Sequence, residues 1–508
     1  MESRQASEEE LPEGESNDRV VESRRPPPMF RRENFHRGDG LGPLLDDDMM
    51  KDVAGEPTAT ALGNVASSLE ADPPATTESK DSTLPEQPRA LVEVGLSKAF
   101  LTDLTLKIMH YSGTPSAAQL MRRLGLGQSM VQQILRTLQE ERLCEVLSQS
   151  DLFTGNYRYR LSERGTARAA EALERTRYAG PVPVTAEQYA EVIRAQQKRR
   201  QAPSPARIKA ILDEFVLAPE VADAVSRALY SGKTAMLHGP SGSGKTSILE
   251  GYARSLDGVV LVPYALYVYG QVIRVFDPSI HEPVEDADDG NAVKDDGKLD
   301  RRWALVRRPT VVLGSEIGQE SLELAYDPQA RFYQAPPHMK AQGGVLVVDD
   351  LGRQKTEARE LMARWLIPVE RGWDSLSLIT GEKLTIPFDI QLLFATNRSL
   401  DQLADDALMR RILYKLEIPS PGPEEFEEIL RQLCHQRNVQ VPEGAIERMV
   451  ERLYSQSGEK PRAAYARDLL EVVIEGAAYD GQEPVLDEES FERALKLFMS
   501  HQGGGEAA

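Results

Sequence analysis

The stretch Ala235-Met-Leu-His238-Gly239-Pro240-Ser241-Gly242-Ser243-Gly244-Lys245-Thr246-Ser247-Ile-Leu249 decides the fold. A short apolar run leads into the pattern G-x-x-x-x-G-K-T and an apolar helical pattern follows, the strand, loop and helix order that a phosphate-cradling loop needs. The glycines let the backbone curl so that its amides point inward at phosphate oxygens, and the helix expected to begin at Ser247 adds its positive end. Lys245 is the residue type that reaches β- and γ-phosphates, and the Thr246 hydroxyl suits Mg²⁺. The expected ligands are therefore ATP and Mg²⁺.

A site that cleaves a terminal phosphate also needs acids on a second strand. Gly343-Gly-Val-Leu-Val-Val-Asp349-Asp350 supplies them, with Val345–Val348 reading as a strand buried on both faces and the acids at the end where open α/β sheets bind ligands. Asp349 is expected to hold Mg²⁺ and Asp350 to polarise the attacking water. A third apolar run, Ile390–Ala395, leads into Thr396-Asn397-Arg398, where Asn397 can bridge the γ-phosphate and that water. Further on, Arg410 and Arg411 end a short helix before a strand over Leu413–Ile418. Two adjacent arginines there read as an arginine finger serving the nucleotide of a neighbouring subunit, with a local salt bridge as the bland alternative. From Pro423 onward, helical periodicity recurs in Glu424–Gln436, Ala445–Ser455, Arg462–Ala478 and Glu488–Ser500. In the third of these, Arg467 is the better candidate, ahead of Arg462, to meet phosphate from above.

Working outward, the 508 residues suffice for two to four domains, and the formal charge of −20 argues against a general nucleic-acid coat. Two cysteines, Cys144 and Cys434, give neither a disulfide framework nor a cysteine zinc site, which fits a reducing cytoplasm. Val259–Ile273 is too short and too interrupted for a membrane span and reads as one buried strand, so no membrane insertion is expected. Residues 1–90 carry ten Lys+Arg against twenty Asp+Glu and ten prolines, so a disordered acidic tail is expected, with Met29-Phe30-Arg31-Arg32 as a possible partner motif.

From Gly95 to Arg175, short helices at Lys98–Tyr111, Ser116–Leu124 and Gln128–Glu141 precede a hairpin, Leu143–Leu147 with Tyr157–Leu161 around Thr154-Gly155-Asn156, and a helix from Ser162. This looks like a winged helix-turn-helix. It carries 11 Lys+Arg against 8 Asp+Glu, and its third helix sets Arg136 beside Glu140 and Glu141. Such a balance favours protein docking or a structural role over DNA, although the wing offers Arg158, Arg160 and Arg164. Pro181-Val-Pro183 then reads as the start of a linker, and Lys198-Arg199-Arg200 as a solvated helix end.

Gly239–Thr246, Val345–Asp350, Ala395-Thr-Asn397, Arg410-Arg411 and Arg467, in this order, resemble the AAA+ ATPase superfamily over about Ile211–Gln502. The resemblance implies an α/β P-loop core with a parallel sheet in the order 5-1-4-3-2, a C-terminal helical lid, and rings, often hexameric, with ATP between subunits. By motif position Asn397 is similar to the first sensor and Arg467 to the second. The insertion between Lys245 and Asp349, with an acidic loop Glu285–Asp300 and the segment Tyr326–Met339, and a hairpin of Leu376–Ile379 with Leu384–Ile386, resemble the branch of MoxR-type chaperones and bacterial enhancer-binding activators. Within it the chain looks closest to chaperone-like ATPases with an N-terminal winged helix.

The expected organisation is a disordered acidic tail at 1–92, a winged helix at 93–178, a linker helix at 179–204, the ATPase domain at 205–419, a helical lid at 420–502 and a disordered tail at 503–508. The expected function is ATP hydrolysis by a homo-oligomer that remodels a protein client, the alternative being an ATP-switched DNA-binding regulator. One departure stands out: the family usually ends its second motif strand with Asp-Glu, and Asp350 occupies the glutamate position. The signature by which enhancer-binding activators contact their sigma factor is absent.

Overall fold

The computed structural model describes residues 85–147, 157–200, 202–284, 299–456 and 460–499. Met29–Arg32, Thr154–Asn156, nearly all of the acidic loop from Glu285 and the segment 503–508 lie outside the described residues.

Capping sets where the first helices begin. In α1 (Lys98–Ser112) the Ser97 hydroxyl accepts from Phe100 N, and in α2 (Ala117–Leu124) Ser116 and Gln119 form a reciprocal capping box. α3 (Gln128–Glu140), the antiparallel wing β1 (Cys144–Leu147) and β2 (Arg158–Leu161), and α4 (Glu163–Arg175) complete the module. β3 (Val184–Thr185) then enters α5 (Ala186–Arg199), and α6 (Pro205–Leu212) and α7 (Pro219–Tyr230) lead to β4 (Ala235–His238).

After β4 come α8 (Lys245–Arg254), β5 (Val259–Pro263), β6 (Ala265–Val268), β7 (Gln271–Arg274), β8 (Trp303–Arg307), β9 (Thr310–Leu313), β10 (Ala325–Asp327) and β11 (Phe332–Gln334). Next are the one-turn α9 (Pro337–Lys340), β12 (Val345–Val348), α10 (Ala358–Arg371), the hairpin β13 (Trp373–Ser377) and β14 (Lys383–Pro387), β15 (Gln391–Thr396), the short α11 (Leu400–Leu403) and α12 (Asp406–Met409), and β16 (Tyr414–Glu417). Four helices close the chain: α13 (Pro423–Arg437), α14 (Ala445–Gln456), α15 (Ala463–Asp480) and α16 (Glu488–Met499), packed around Phe426, Leu453, Leu469 and Phe491.

The central sheet is all-parallel in the order β16-β4-β15-β12-β9. Its inner strands β12 and β15 are buried along their whole length because both faces are covered, whereas the edge strand β16 (Tyr-Lys-Leu-Glu) alternates with exposed residues. In β12, Leu346 and Val348 face the core of α10, with Trp365, while Val345 and Val347 face Ile248 and Leu249 of α8; in β15, Phe394 and Leu393 divide the same way.

A second sheet, β10-β11-β7-β6-β3, grows from the insertion. Val259–Ile273, expected as one strand, is three: β5 pairs with β8, and β6 turns back into β7 through Tyr269-Gly270, both at positive φ (48° and 79°). Pro181–Val184 is no exposed linker, because all four residues are buried and β3 extends the second sheet beside β6. Lys198, Arg199 and Arg200 form an exposed helix end, and Arg200 also makes a 2.8 Å ion pair with Asp389, which is only 4% exposed. Among the described residues no helix is long and apolar enough to cross a membrane.

The core of α1–α4 and the β1–β2 hairpin is continuous with this sheet. Ala265, Val272 and Phe332 belong to the same buried cluster as Leu104 and Leu135, and Phe100 packs on Tyr267 with ring centroids 4.3 Å apart. Arg302 seals the junction: fully buried with Asp300 (2.7 Å), it also donates to Val94 O and the Gln188 side chain. Truncating one partner leaves a buried charge unpaired. Arg302→Ala is therefore expected to lower stability by about 3–5 kcal/mol in urea unfolding, and a loss below about 1 kcal/mol, the worth of an exposed pair, would contradict this view of the junction.

Candidate phosphate-binding site

The loop after β4 closes on itself. Gly239 has φ 134°, and a Cβ there would lie 2.3 Å from Ile418 O, so the turn out of β4 requires glycine. Lys245 is buried, and its ammonium donates to Gly239 O (3.0 Å), Pro240 O (2.7 Å) and Ser243 Oγ (3.3 Å). Burial pulls its pKa down, opposed by the carboxylates of Asp349 and Asp350. Thr246, one position on, donates to Asp349 Oδ1 at 2.7 Å. Parallel register explains the meeting, since β15 pairs with both β4 and β12 and brings the C-terminal ends of all three strands to one edge.

At that edge the acids form a tight turn. Asp350 is left-handed (φ 48°), Leu351 N donates to Ala395 O (2.8 Å), and Thr396 Oγ1 donates to Leu351 O (2.8 Å). These bonds set the turn against the end of β15, where half-buried Asn397 follows. Two neighbours went unnoticed in the sequence. The Gln354 amide accepts from Gly352 N and donates to Asp349 O, both at 2.8 Å, and a cleft of about 530 Å³ lined by Gly352, Arg359, Arg398 and Asp401 opens beside the turn. A lone glutamine or arginine on a polar loop carries no periodic signal that would have marked it.

The two candidate arginines lie elsewhere. Tyr414, which opens β16, pairs with Ala235 at the start of β4, so Arg410 and Arg411 sit at the edge of the sheet opposite the loop that follows His238. Arg411 is held locally by Glu370 (2.8 Å) and Ala407 O (3.0 Å), whereas exposed Arg410 has only a 3.3 Å contact to Asp406 O. The closing helices reach the loop through residues ahead of Arg467: Ala464 N donates to Gly242 O (2.9 Å), and a Cβ on Gly242 would lie 2.8 Å from Ala464 Cβ. Arg467 stands exposed one turn further along α15 and contacts Asp468 at 3.3 Å.

The oxygen donors fit Mg²⁺, a hard cation that takes one or two protein oxygens together with phosphates and water. Thr246 Oγ1 and Asp349 Oδ1 supply that pair, and among the described residues no cluster of three or more His, Cys, Asp or Glu forms an all-protein cage.

Residues 422–497, the four closing helices, match a domain of unknown function (DUF8689). No curated protein matches the chain. Among solved structures, NtrX from Brucella abortus in complex with ADP is 12% identical with a TM-score of 0.35, covering 65% of each chain, so less than two thirds of NtrX is spanned. The Thermotoga maritima RuvB Holliday junction branch migration motor is 15% identical with a TM-score of 0.34, covering 56% of this chain and 71% of RuvB.

Gly239→Ala is expected to destabilise the protein by about 2 kcal/mol or more, the range of backbone strain at an unfavourable φ combined with a steric clash. Thermal unfolding at equal protein concentration checks it, and an unchanged midpoint would contradict the contact with Ile418.

Proposed function

We propose that the chain is an AAA+ ATPase, a homo-oligomer that hydrolyses ATP in the cytoplasm and uses the cycle to remodel a protein client. The convergence of Lys245, Thr246 and Asp349 at one sheet edge carries this reading. Lys245 exchanges the loop's carbonyls for terminal phosphate oxygens, and the loop from Gly239 to Gly244 with Ser247 at the helix start surrounds the phosphates. Thr246 and Asp349 hold Mg²⁺, which when bound supplies neutralising charge on the phosphate oxygens. Asp350 accepts the proton of the attacking water, and Asn397 orients that water. Arg467 approaches from the lid.

Asp350 in place of glutamate has a conformational rationale. Aspartate is several-fold enriched among non-glycine residues at positive φ, and φ here is 48°. The position of Arg410 at the far edge supports a second copy as the recipient of the finger, because the side chain cannot span the sheet to its own loop. Arg410 is the better finger, since Arg411 is tied to Glu370. A ring of six is the number the family resemblance implies.

Purified protein is expected to hydrolyse ATP with specific activity that rises with protein concentration, and Lys245→Ala and Arg410→Ala are each expected to lose most of it. Mixing the two inactive variants should restore part of the turnover, because some interfaces pair an intact loop with an intact finger. Full activity in either variant, or no complementation, would overturn the trans site.

A second reading, a nucleotide-switched regulator that docks on duplex DNA, has one specific observation in its favour. Arg160, Arg168 and Arg175 are tied to Glu145, Glu141 and Asp103, while Arg122, Arg136, Arg142, Arg158 and Arg164 form no ion pair among the described residues. The exposed face of α3 adds Gln128, Gln132, Gln133 and Gln139. If this surface binds duplex DNA, affinity should fall steeply with salt, and Arg136→Ala/Arg158→Ala should flatten the slope by about two phosphate contacts. Affinity independent of salt would exclude it.

A further inference from the structure

We infer that Gln354 is a positioning residue for hydrolysis, acting through Asp350. This rests on the proposed ATPase function and deepens it. Asp349 extends straight from β12, with its N–H donating to Leu313 O (2.8 Å), whereas Asp350 turns left-handed and redirects its side chain away from the strand. A non-glycine residue in that region is held there only when its surroundings determine it. On one side of Asp350 the Gln354 Nε2 donates to Asp349 O, and on the other the Gln354 Oε1 accepts from Gly352 N.

Only one orientation of the amide satisfies both groups, because an N–H requires the oxygen and a carbonyl requires the nitrogen. The side chain is thus a brace across the turn, from the Asp349–Asp350 peptide to the Leu351–Gly352 peptide. The remaining bonds of the turn are backbone contacts or come from Thr396, on the side of β15. Arg353 N closes the turn by donating to Asp350 O (3.0 Å). Without the brace the turn stays attached at Leu351, but the direction of the Asp350 carboxylate relaxes. Lys245 bonds to the loop and Thr246 to Asp349 Oδ1 without Gln354, so nucleotide binding does not depend on it.

The test is steady-state ATP turnover with full-length protein, alongside direct binding of Mg²⁺-ADP. Gln354→Ala is expected to lower kcat by about tenfold to a hundredfold, the cost of a misplaced catalytic group, with KM and the Kd for Mg²⁺-ADP within about twofold of wild type. Gln354→Glu, nearly the same shape, keeps the acceptor for Gly352 N but sets a carboxylate oxygen against Asp349 O, and is expected to be impaired to a similar degree while remaining folded. In an Asp350→Asn background the Gln354→Ala effect should largely disappear, because the two residues act as one unit. Unchanged kcat in Gln354→Ala, an effect confined to Kd, or an undiminished effect in the Asp350→Asn background would each overturn the inference. A wild-type protein without ATP turnover would instead sink the proposed function, and wild-type turnover unaffected by Asp350→Asn would sink the assignment of the base.

Discussion

A single hydroxyl-to-carboxylate contact, Thr246 Oγ1 to Asp349 Oδ1 at 2.7 Å, joins two segments 103 residues apart, and the geometry of the site depends on it. It exists because β15 lies between β4 and β12 in a parallel sheet, so the residue opening α8 and the residue ending β12 emerge at one edge. An antiparallel neighbour would have sent one of them to the opposite edge. The insertion of some 90 residues between them is tolerated because its ends, β5 with β8 and then β9, return the chain to the sheet, and its own apolar surface is buried in a second core with α5 and the hairpin β13–β14.

The two cores are tied by polar groups as well as by packing. Gln196 on α5 accepts from Leu261 N and donates to Leu261 O, and Arg200 at the end of α5 reaches Asp389, two residues before β15. Below the hairpin, Arg364 grips Asp374 with two bonds (2.8 and 3.0 Å), and His338 Nε2 lies 2.9 Å from the same carboxylate. Burial alone would raise the pKa of Asp374, but the hydrogen bonds from His338 and Arg364 prevail and hold it at about 2. The hairpin base is therefore anchored by charge above pH 4, and that contribution is lost as pH falls toward 2.

The central sheet and the loop were legible in the sequence for a physical reason: strands buried on both faces are uniformly apolar, and a phosphate loop needs glycine, lysine and threonine at fixed spacing. The start of the second helix was legible from its cap at Ser116, whereas the caps at Ser97 and Ser162 emerge only in the structure. Where the reading failed, the deciding interactions were distant or conformational. Pro263 and Gly270 interrupt Val259–Ile273 at the two points where the strand breaks, but the apolar character of the whole run outweighed them in the reading. The ion pair of Arg200 was not legible because its partner lies 189 residues away. Gln354 was invisible because its role follows from the handedness of Asp350, which sequence pattern does not report.

The same contacts constrain how the parts can move. The module α1–α4 with β1–β2 shares a buried cluster with β6, β7 and β11 and is sealed by a fully buried ion pair, so it moves with the insertion and not as a tethered domain. The helices α13–α16, by contrast, have their own core and meet the glycine-rich loop where Ala464 N bonds to Gly242 O. That contact leaves no room for even a methyl group, so any displacement of the loop at Gly242 must be followed by the start of α15 or break the bond. A change in the loop is thus delivered directly to the start of α15, ahead of Arg467. From the central sheet, contacts run toward the N-terminal module through Asp389 and Arg200 of α5 and through β9, β8 and Arg302.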